Sequence, residues 1–247
     1  MTGEVHGGIG AFYATPAGRV AARLVRARLR ELWPSLDGRS VLGLGHADPY
    51  LDLWQGEAAR LVALRPRQLG PPRAAFRSGG RPGPRGGGVM AEEEALPFPD
   101  LCFDRVLMVH GLEVAENVRR LLREAWRVLR DDGRLLVVVP NRRGLWAHFE
   151  TTPFGHGQPY SPGQLGRLLA DHLFRVERRD AALFLPPFGF RAVLPVAEFW
   201  ERAGRALCPP RLAGLAIVEA RKDLFAGEPA GAAALRRQVR SLAESLA

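Results

Sequence analysis

The chain is poor in cysteine and has no long apolar run. Its two cysteines, Cys102 and Cys208, supply neither a disulfide framework nor a zinc-ligand cluster. The first ten residues lack the basic and apolar regions of a signal peptide, and the longest apolar run, LLVVVP, is too short to span a bilayer. These absences favour a cytoplasmic protein with no structural metal and no membrane contact.

Lysine is also scarce, although the chain is strongly basic. Only Lys222 is a lysine among 35 basic residues, and the formal net charge is +9. Such a charge favours a polyanionic partner such as nucleic acid, whereas arginine together with abundant Ala, Gly and Pro is typical of GC-rich coding. Nucleic-acid binding therefore stays open without being the leading hypothesis.

Short apolar strands alternate with helices through most of the chain. Strands are predicted at SVLGLG, AARLVAL, RLLVVVP and LAGLAIVEARK and over residues 104–109, with one helix over residues 15–33 and another at NVRRLLREAWRVLR. This alternation predicts a parallel sheet covered on both faces. The first helix carries a stripe of arginines that forms a solvated basic face or a phosphate-binding surface: Arg19, Arg23, Arg26 and Arg30.

Composition divides the chain into three parts. Residues 1–37 are predicted to form an N-terminal helical extension, residues 38–225 the main domain and residues 226–247 a helical tail. Within the main domain, the Gly/Pro/Arg-rich residues 67–90 predict a flexible loop. The turn-rich residues 141–165 are expected to cover a site at the carboxyl ends of the strands.

Four motifs in order carry a family resemblance: VLGLG, ALPFPDLCFDRVLMVHGLE, LLREAWRVLRDDGRLLVVVPN and GHGQPYSPGQLGRLL. Together they resemble the class I S-adenosylmethionine-dependent methyltransferases of the methyltransferase type 11 kind. The resemblance implies a Rossmann-like, doubly wound α/β fold with a mostly parallel seven-stranded sheet and helices on both faces. It also implies S-adenosylmethionine as the cofactor.

The loop after the first strand is where this resemblance places the cofactor. Gly45 matches the family's first loop glycine, and Gly43, His46 and Ala47 are the other cofactor-binding candidates there. The family favours an acidic residue at the position of Gly43, and glycine at the positions of Ala47 and Pro49. We therefore predict a cofactor loop that is remodelled.

The second strand shows a further departure from the family. Its run ends as VALRPR, without the carboxylate that in the family accepts hydrogen bonds from the ribose hydroxyls. Asp48 or Asp52 could supply a carboxylate from another position, or both could cap the helix that starts near Pro49.

The motif MAEEEALPFPD resembles the family's adenine-binding stretch. The register puts Glu92 at the residue that bonds the adenine amino group, with Glu94 as an alternate, and sets Ala95 and Leu96 beside the ring. The alternative is an exposed acidic triplet in a loop.

Three side chains are candidates for catalysis. His110, at the end of the fourth strand with Glu113 nearby, could orient the methionine part of the cofactor or remove a proton from an acceptor. His156 and Tyr160 lie on the predicted cover and are acceptor-side candidates. All three could instead satisfy hydrogen bonds at a strand end or anchor a loop.

The sequence thus predicts a methyltransferase that transfers a methyl group from S-adenosylmethionine to a small-molecule acceptor. Asn141 and Arg142 are expected to line the acceptor pocket, and a small activating partner protein could complete the site. An inactive methyltransferase-like scaffold is one alternative, motivated by the altered cofactor positions. An RNA-modifying methyltransferase is another, motivated by the arginines of the first helix and of the Arg-rich loop.

Overall fold

The computed structural model describes residues 9–65, 87–90, 95–148, 152–155, 157–185 and 196–224. Their centre is a seven-stranded sheet in the order β3-β2-β1-β4-β5-β7-β6. The strands are β1 (Ser40–Gly45), β2 (Arg60–Arg65), β3 (Gly87–Met90), β4 (Phe103–Val109), β5 (Leu129–Pro140), β6 (Phe174–Ala182) and β7 (Leu215–Lys222).

The pairing of the strands makes this a mixed sheet. Strands β1 to β5 pair in parallel, whereas β7 runs antiparallel to both of its neighbours, β5 and β6. The Rossmann-like α/β fold is therefore as predicted, and the predicted parallel pairing holds for the first five strands only.

Helices cover both faces of the sheet: α1 (Ile9–Ala14), α2 (Pro16–Leu32), α3 (Asp48–Leu51), α4 (Val118–Val128), α5 (Pro162–Asp171) and α6 (Ala197–Leu207). Because side chains alternate along a strand, Val41 packs with α1, α2 and α3 on one face, while Leu42 packs with α4 and α5 on the other. Within the described ranges, none of these helices is long and apolar enough to cross a membrane.

Local capping signals explain where the main helices begin. The Thr15 side chain accepts a hydrogen bond from the Gly18 amide at the start of α2, and Pro16 occupies the first turn. Ser161 and Gln164 form a reciprocal capping box at the start of α5. The predicted helix over residues 15–33 is thus confirmed.

The predicted flexible loop over residues 67–90 is wrong at its end. Residues Gly87–Met90 form β3, an edge strand that pairs with β2. Only Val89 and Met90 of these four residues are apolar, which is too short a run to signal a strand, and parallel pairing itself uses backbone groups. The rest of that segment, and the predicted tail over residues 226–247, lie outside the described residues.

The arginines of α2 mostly bind partners within the chain. Arg26 donates to the Pro49 carbonyl oxygen, and Arg30 pairs with Glu57. Helices α1 and α2, which belong to the predicted N-terminal extension, also share one apolar core with the sheet. The stripe therefore fastens α2 to the loops around it.

Candidate active site

Strand β1 ends at a glycine that its surroundings require. Gly45 has a φ of +76°, and a Cβ there would lie 2.4 Å from the Val109 carbonyl oxygen at the end of β4. The His46 amide donates to the same oxygen at 2.6 Å. Gly45 thus lets the ends of β1 and β4 approach closely.

The absence of an acidic residue at Gly43 has a packing cause. A Cβ on Gly43 would lie 2.7 Å from Leu51 Cδ1 and 2.8 Å from Ala47 Cβ, because α3 rests directly on β1. Ala47 is fully buried in this contact. No aspartate or glutamate side chain could occupy position 43 while α3 keeps this place.

An arginine stands at the end of β2 where the family has a carboxylate. Arg65 is buried, its Nε lies 2.8 Å from Asp48 Oδ2, and its Nη2 lies 3.1 Å from His46 Nδ1. Asp48 therefore places a carboxylate in this region from the loop after β1. Asp48 is the first residue of α3, whose N-cap, Ala47, makes no side-chain hydrogen bond, so the carboxylate of Asp48 pairs with Arg65 and does not cap the helix.

A chain of hydrogen bonds joins α1 to the end of β4. The Tyr13 hydroxyl lies 2.8 Å from His110 Nε2, and His110 Nδ1 lies 2.5 Å from Glu113 Oε1. The side chains of His110 and Glu113 are fully buried. His110 has a φ of +52°, uncommon for a residue other than glycine. His110 and Glu113 are thus brought together as predicted, whereas Tyr13 was missed.

Aromatic stacking closes this group into what we call the Tyr–His cluster: Tyr13, His46, His110, Glu113 and Phe154. The Tyr13 ring stacks on His46 at 5.1 Å between centroids, and Phe154 stacks on His110 at 5.5 Å. The cluster therefore joins α1, the loops after β1 and β4, and the segment after β5.

Burial sets the protonation state of Tyr13 in this cluster. It raises the pKa of Tyr13 well above its usual value, and the neighbouring Tyr50 and Glu113 raise it further. The phenol therefore stays protonated at neutral pH and donates to His110 Nε2. The Nδ1–H of His110 then donates to Glu113, whose other oxygen, Oε2, is buried and has no hydrogen-bond partner among the described residues.

Tyr160 lines a cavity beside the cluster. The cavity measures about 330 Å³ and is also lined by Arg142, Gln158 and Gln164. The Gln158 amide donates to the Glu113 carbonyl oxygen at 3.1 Å, so the cavity adjoins the end of β4. Burial raises the pKa of Tyr160, and the charge of Glu113 adds to this effect.

Asn141 has a structural place next to this cavity. It is fully buried, and its Nδ2 donates to the carbonyl oxygens of Arg211 and Ala213 at 3.0 and 2.9 Å. Of the two residues expected to line an acceptor pocket, Arg142 lines the cavity, whereas Asn141 anchors the loop behind it.

The predicted adenine-side residues are only partly described. Leu96 is buried against the α4 side of the sheet, where its amide donates to Glu124 Oε2 at 2.9 Å, and Ala95 is exposed. Glu92 and the acceptor-side candidate His156 lie outside the described residues.

Tyr13 could have been found from the sequence by one signal. Phe12 and Tyr13 are aromatic residues placed immediately before the Thr15-Pro16 helix start, where apolar side chains often fix the angle at which a chain enters a helix. That signal marks a packing residue, but it does not identify His110 as the contact.

Known proteins that are similar to parts of this chain include methyltransferases. A family model described as a methyltransferase domain matches residues 73–137. An uncharacterized protein of Mycobacterium tuberculosis is 33% identical over 118 residues, which are 45% of this chain and 41% of that protein. A ubiquinone/menaquinone biosynthesis C-methyltransferase of Hahella chejuensis is 52% identical over 50 residues, 20% of each chain. The chain thus spans less than half the length of these relatives.

Solved structures share the fold over most of the chain. An S-adenosylmethionine-dependent methyltransferase of Thermotoga maritima aligns with a TM-score of 0.56 and 16% identity, covering 85% of this chain and 93% of that one. A structure from Haloferax volcanii, a methyltransferase in complex with its activator protein, aligns with a TM-score of 0.58 and 18% identity, covering 87% and 97%.

The strand order and the solved structures that align with it define a Rossmann-like methyltransferase fold. The family model matches residues 73–137, so this part of the chain is similar to the S-adenosylmethionine-dependent methyltransferase family that the four sequence motifs resemble. S-adenosylmethionine is the cofactor of that family.

Proposed function

We propose that this chain binds S-adenosylmethionine beside the Tyr–His cluster and transfers its methyl group to a small-molecule acceptor. The observation that carries the proposal is the Tyr13–His110–Glu113 chain of hydrogen bonds at the carboxyl ends of β1 and β4. In open α/β sheets, ligands bind at this edge.

The residues present fit the cofactor in charge. A buried carboxylate oxygen without a partner, Glu113 Oε2, suits a cationic group, and S-adenosylmethionine carries both an ammonium and a sulfonium cation. Gly45 and His46 would form the wall on the β1 side, with Gly43 and Ala47 behind them in the contact with α3. Glu92, Ala95 and Leu96 would form the adenine side. The cofactor, when bound, would supply the methyl group of its sulfonium, and its sulfur would be left as a neutral thioether.

The side chains of the cluster would then accept the proton that the acceptor loses. His110 Nε2 is the basic nitrogen, because Nδ1 holds its proton against Glu113. The Tyr13 hydroxyl can pass its own proton to Nε2 while it takes one from an acceptor, so the phenol stays neutral throughout. His156 and Tyr160 would contact the acceptor from the cavity side. Positioning and exclusion of water supply the rest of the acceleration.

The arginines on α2 favour a small-molecule acceptor over RNA, because they contact groups of this chain. Arg26 and Arg30 bind partners within the chain, so these two guanidinium groups are already engaged. The cavity of about 330 Å³ beside Tyr160 suits a small ligand. A small activating partner remains part of the proposal, because the Haloferax volcanii structure of similar fold is a complex with an activator.

Calorimetric titration with S-adenosylmethionine and with S-adenosylhomocysteine tests this proposal. Glu113→Gln keeps the shape of the side chain and an acceptor for His110, but it removes the charge. We expect it to weaken binding of S-adenosylmethionine about tenfold, or about 1.4 kcal/mol. The sulfur of S-adenosylhomocysteine is uncharged, so its binding should weaken less.

The matched control is Glu116→Gln, which removes an exposed carboxylate three residues away and should leave both affinities unchanged. Absence of heat with both ligands, from a protein that unfolds cooperatively, would contradict the proposal. Equal weakening by both glutamate variants would show that Glu113 does not act locally on the cofactor.

A further inference from the structure

Helix α6 is attached to the protein through charged side chains. Glu201 is buried and accepts hydrogen bonds from the Leu183 and Phe184 amides at 2.9 and 2.7 Å. Arg205, one turn further along, donates to Asp180 Oδ1 at 2.7 Å and to a backbone carbonyl oxygen. The inward face of α6 therefore combines one buried apolar residue, Ala197, with charged side chains, unlike the apolar inward face of an ordinary surface helix.

The outward face of α6 is apolar. Phe199, Trp200 and Leu207 are 63%, 46% and 84% exposed, and the spacing of Trp200 and Leu207 puts them on one side of the helix. Two more leucines, Leu212 and Leu145, are 40% and 46% exposed. Leu212 follows α6 in the chain, and Leu145 lies near it, since a Cβ on the adjacent Gly144 would lie 2.1 Å from the Ala213 carbonyl oxygen. We call the two aromatic residues and the three leucines the apolar edge surface.

This surface lies at the same edge of the sheet as the candidate active site. The 3-10 helix Pro210–Leu212 leads into β7, whose first residue, Leu215, pairs with the last residue of β5. Asn141, directly after β5, bonds the carbonyl oxygens of that 3-10 helix, and Arg142 lines the cavity next to it. An apolar acceptor held at this surface would therefore be close to the cavity.

Among the described residues, four exposed arginines each lie within three positions of one of these apolar residues in the chain. The guanidinium-bearing residues Arg142, Arg143, Arg202 and Arg211 are all exposed. The carboxylate on the exposed side of α6, Glu198, lies 3.5 Å from an arginine of α2. The rim of the surface is thus positively charged.

We propose that the apolar edge surface docks onto an anionic lipid membrane. Aromatic and leucine side chains on one helix face with arginines beside them are the composition of a helix that lies in the bilayer interface. The arginines would reach phosphate headgroups, which the positive rim favours over a neutral or basic protein partner. This inference departs from the sequence-based expectation of no membrane contact, and it does not depend on methyl transfer.

Flotation of the full chain with lipid vesicles tests the proposal. We expect the protein to float with vesicles of about one part phosphatidylglycerol to two parts phosphatidylcholine, and much less with pure phosphatidylcholine. Trp200→Ser and Leu207→Ser should each lower the partition coefficient about tenfold. Arg211→Gln should lower it about fivefold on the anionic vesicles only.

The matched control is Leu101→Ser. Leu101 is 45% exposed, like Trp200, but it precedes β4 and so lies at the opposite edge of the sheet. Its substitution should leave flotation unchanged. Tryptophan emission gives a second measurement: Trp33, Trp54 and Trp146 are buried and Trp126 is partly buried beneath Lys222, so most of the blue shift on adding anionic vesicles should be lost in Trp200→Ser.

Two outcomes would overturn the proposal. One is that the folded protein fails to float with anionic vesicles, or floats equally well after substitution of Trp200 and Leu207. The other is that light scattering shows a dimer that Leu207→Ser converts to a monomer, because the surface would then be an interface between two copies of this chain.

Discussion

Arg65 shows how one residue can reverse the sign of the charge at one place in the site. Its buried guanidinium lies at the end of β2, against Asp48 and His46. A buried charge is tolerated only with a close partner, so Arg65 and Asp48 depend on each other. The reversal of charge at β2 is thus accompanied by a carboxylate from the loop after β1.

This dependence predicts a strong coupling in stability. Arg65→Met should lower the free energy of unfolding by about 3 kcal/mol, because it leaves the Asp48 carboxylate buried without its cation. Asp48→Asn added to that variant should recover a large part of the loss. Urea unfolding of the two single variants and the double variant measures the coupling. Simple addition of the two single effects would contradict it.

At the scale of elements, the short helix α1 determines whether the Tyr–His cluster is closed. It contributes Tyr13 to His110 and packs Phe12 against Phe154. A six-residue helix is not stable by itself, so its position depends on the contact with α2. That contact requires Gly18, where a Cβ would lie 2.0 Å from the Phe12 carbonyl oxygen.

Gly18→Ala should therefore move α1 away from the sheet. We expect a loss of about 2 kcal/mol in the free energy of unfolding and faster amide hydrogen exchange at Phe12 and Tyr13. Gly10→Ala is the control, because a Cβ at Gly10 meets nothing within 4 Å, and it should be neutral or slightly stabilising. Unchanged exchange in Gly18→Ala would show that α1 is held independently of α2.

At the scale of the whole molecule, Asp180 on β6 connects three elements. Arg28 of α2 donates to its Oδ2 at 2.7 Å, and Arg205 of α6 donates to its Oδ1 at 2.7 Å. Burial acts to raise the pKa of Asp180, but the hydrogen bonds from Arg28, from the following amide and from Arg205 outweigh it and lower the pKa below its usual 3.8.

A lowered carboxyl pKa gives stability that is present above the unfolded-state pKa and is lost as the pH falls below it. Asp180→Asn should thus cost roughly 2 kcal/mol near neutral pH and flatten the fall in stability below about pH 4. Denaturant unfolding across that range measures both effects. The exposed Asp37→Asn serves as control, and an unaltered acid profile in Asp180→Asn would exclude this role.

The sequence by itself determined the parts of this protein that depend on neighbouring residues. Thr15-Pro16 and Ser161-Pro162 start helices because capping acts within one turn, and Gly45 ends β1 because its own backbone conformation requires glycine. The order of strands and helices and the family motifs have the same local origin, and they were enough to predict the fold family and the region of His110.

Only the tertiary structure decided the long-range contacts between the side chains of this site. Tyr13 and His110 are 97 residues apart, and no local pattern connects them. The pairing of Arg65 with Asp48 and the outward apolar face of α6 likewise depend on which surfaces pack together. Such contacts form after the elements have assembled, and their energies come from burial and from partners distant in the chain, which periodicity along the sequence does not encode.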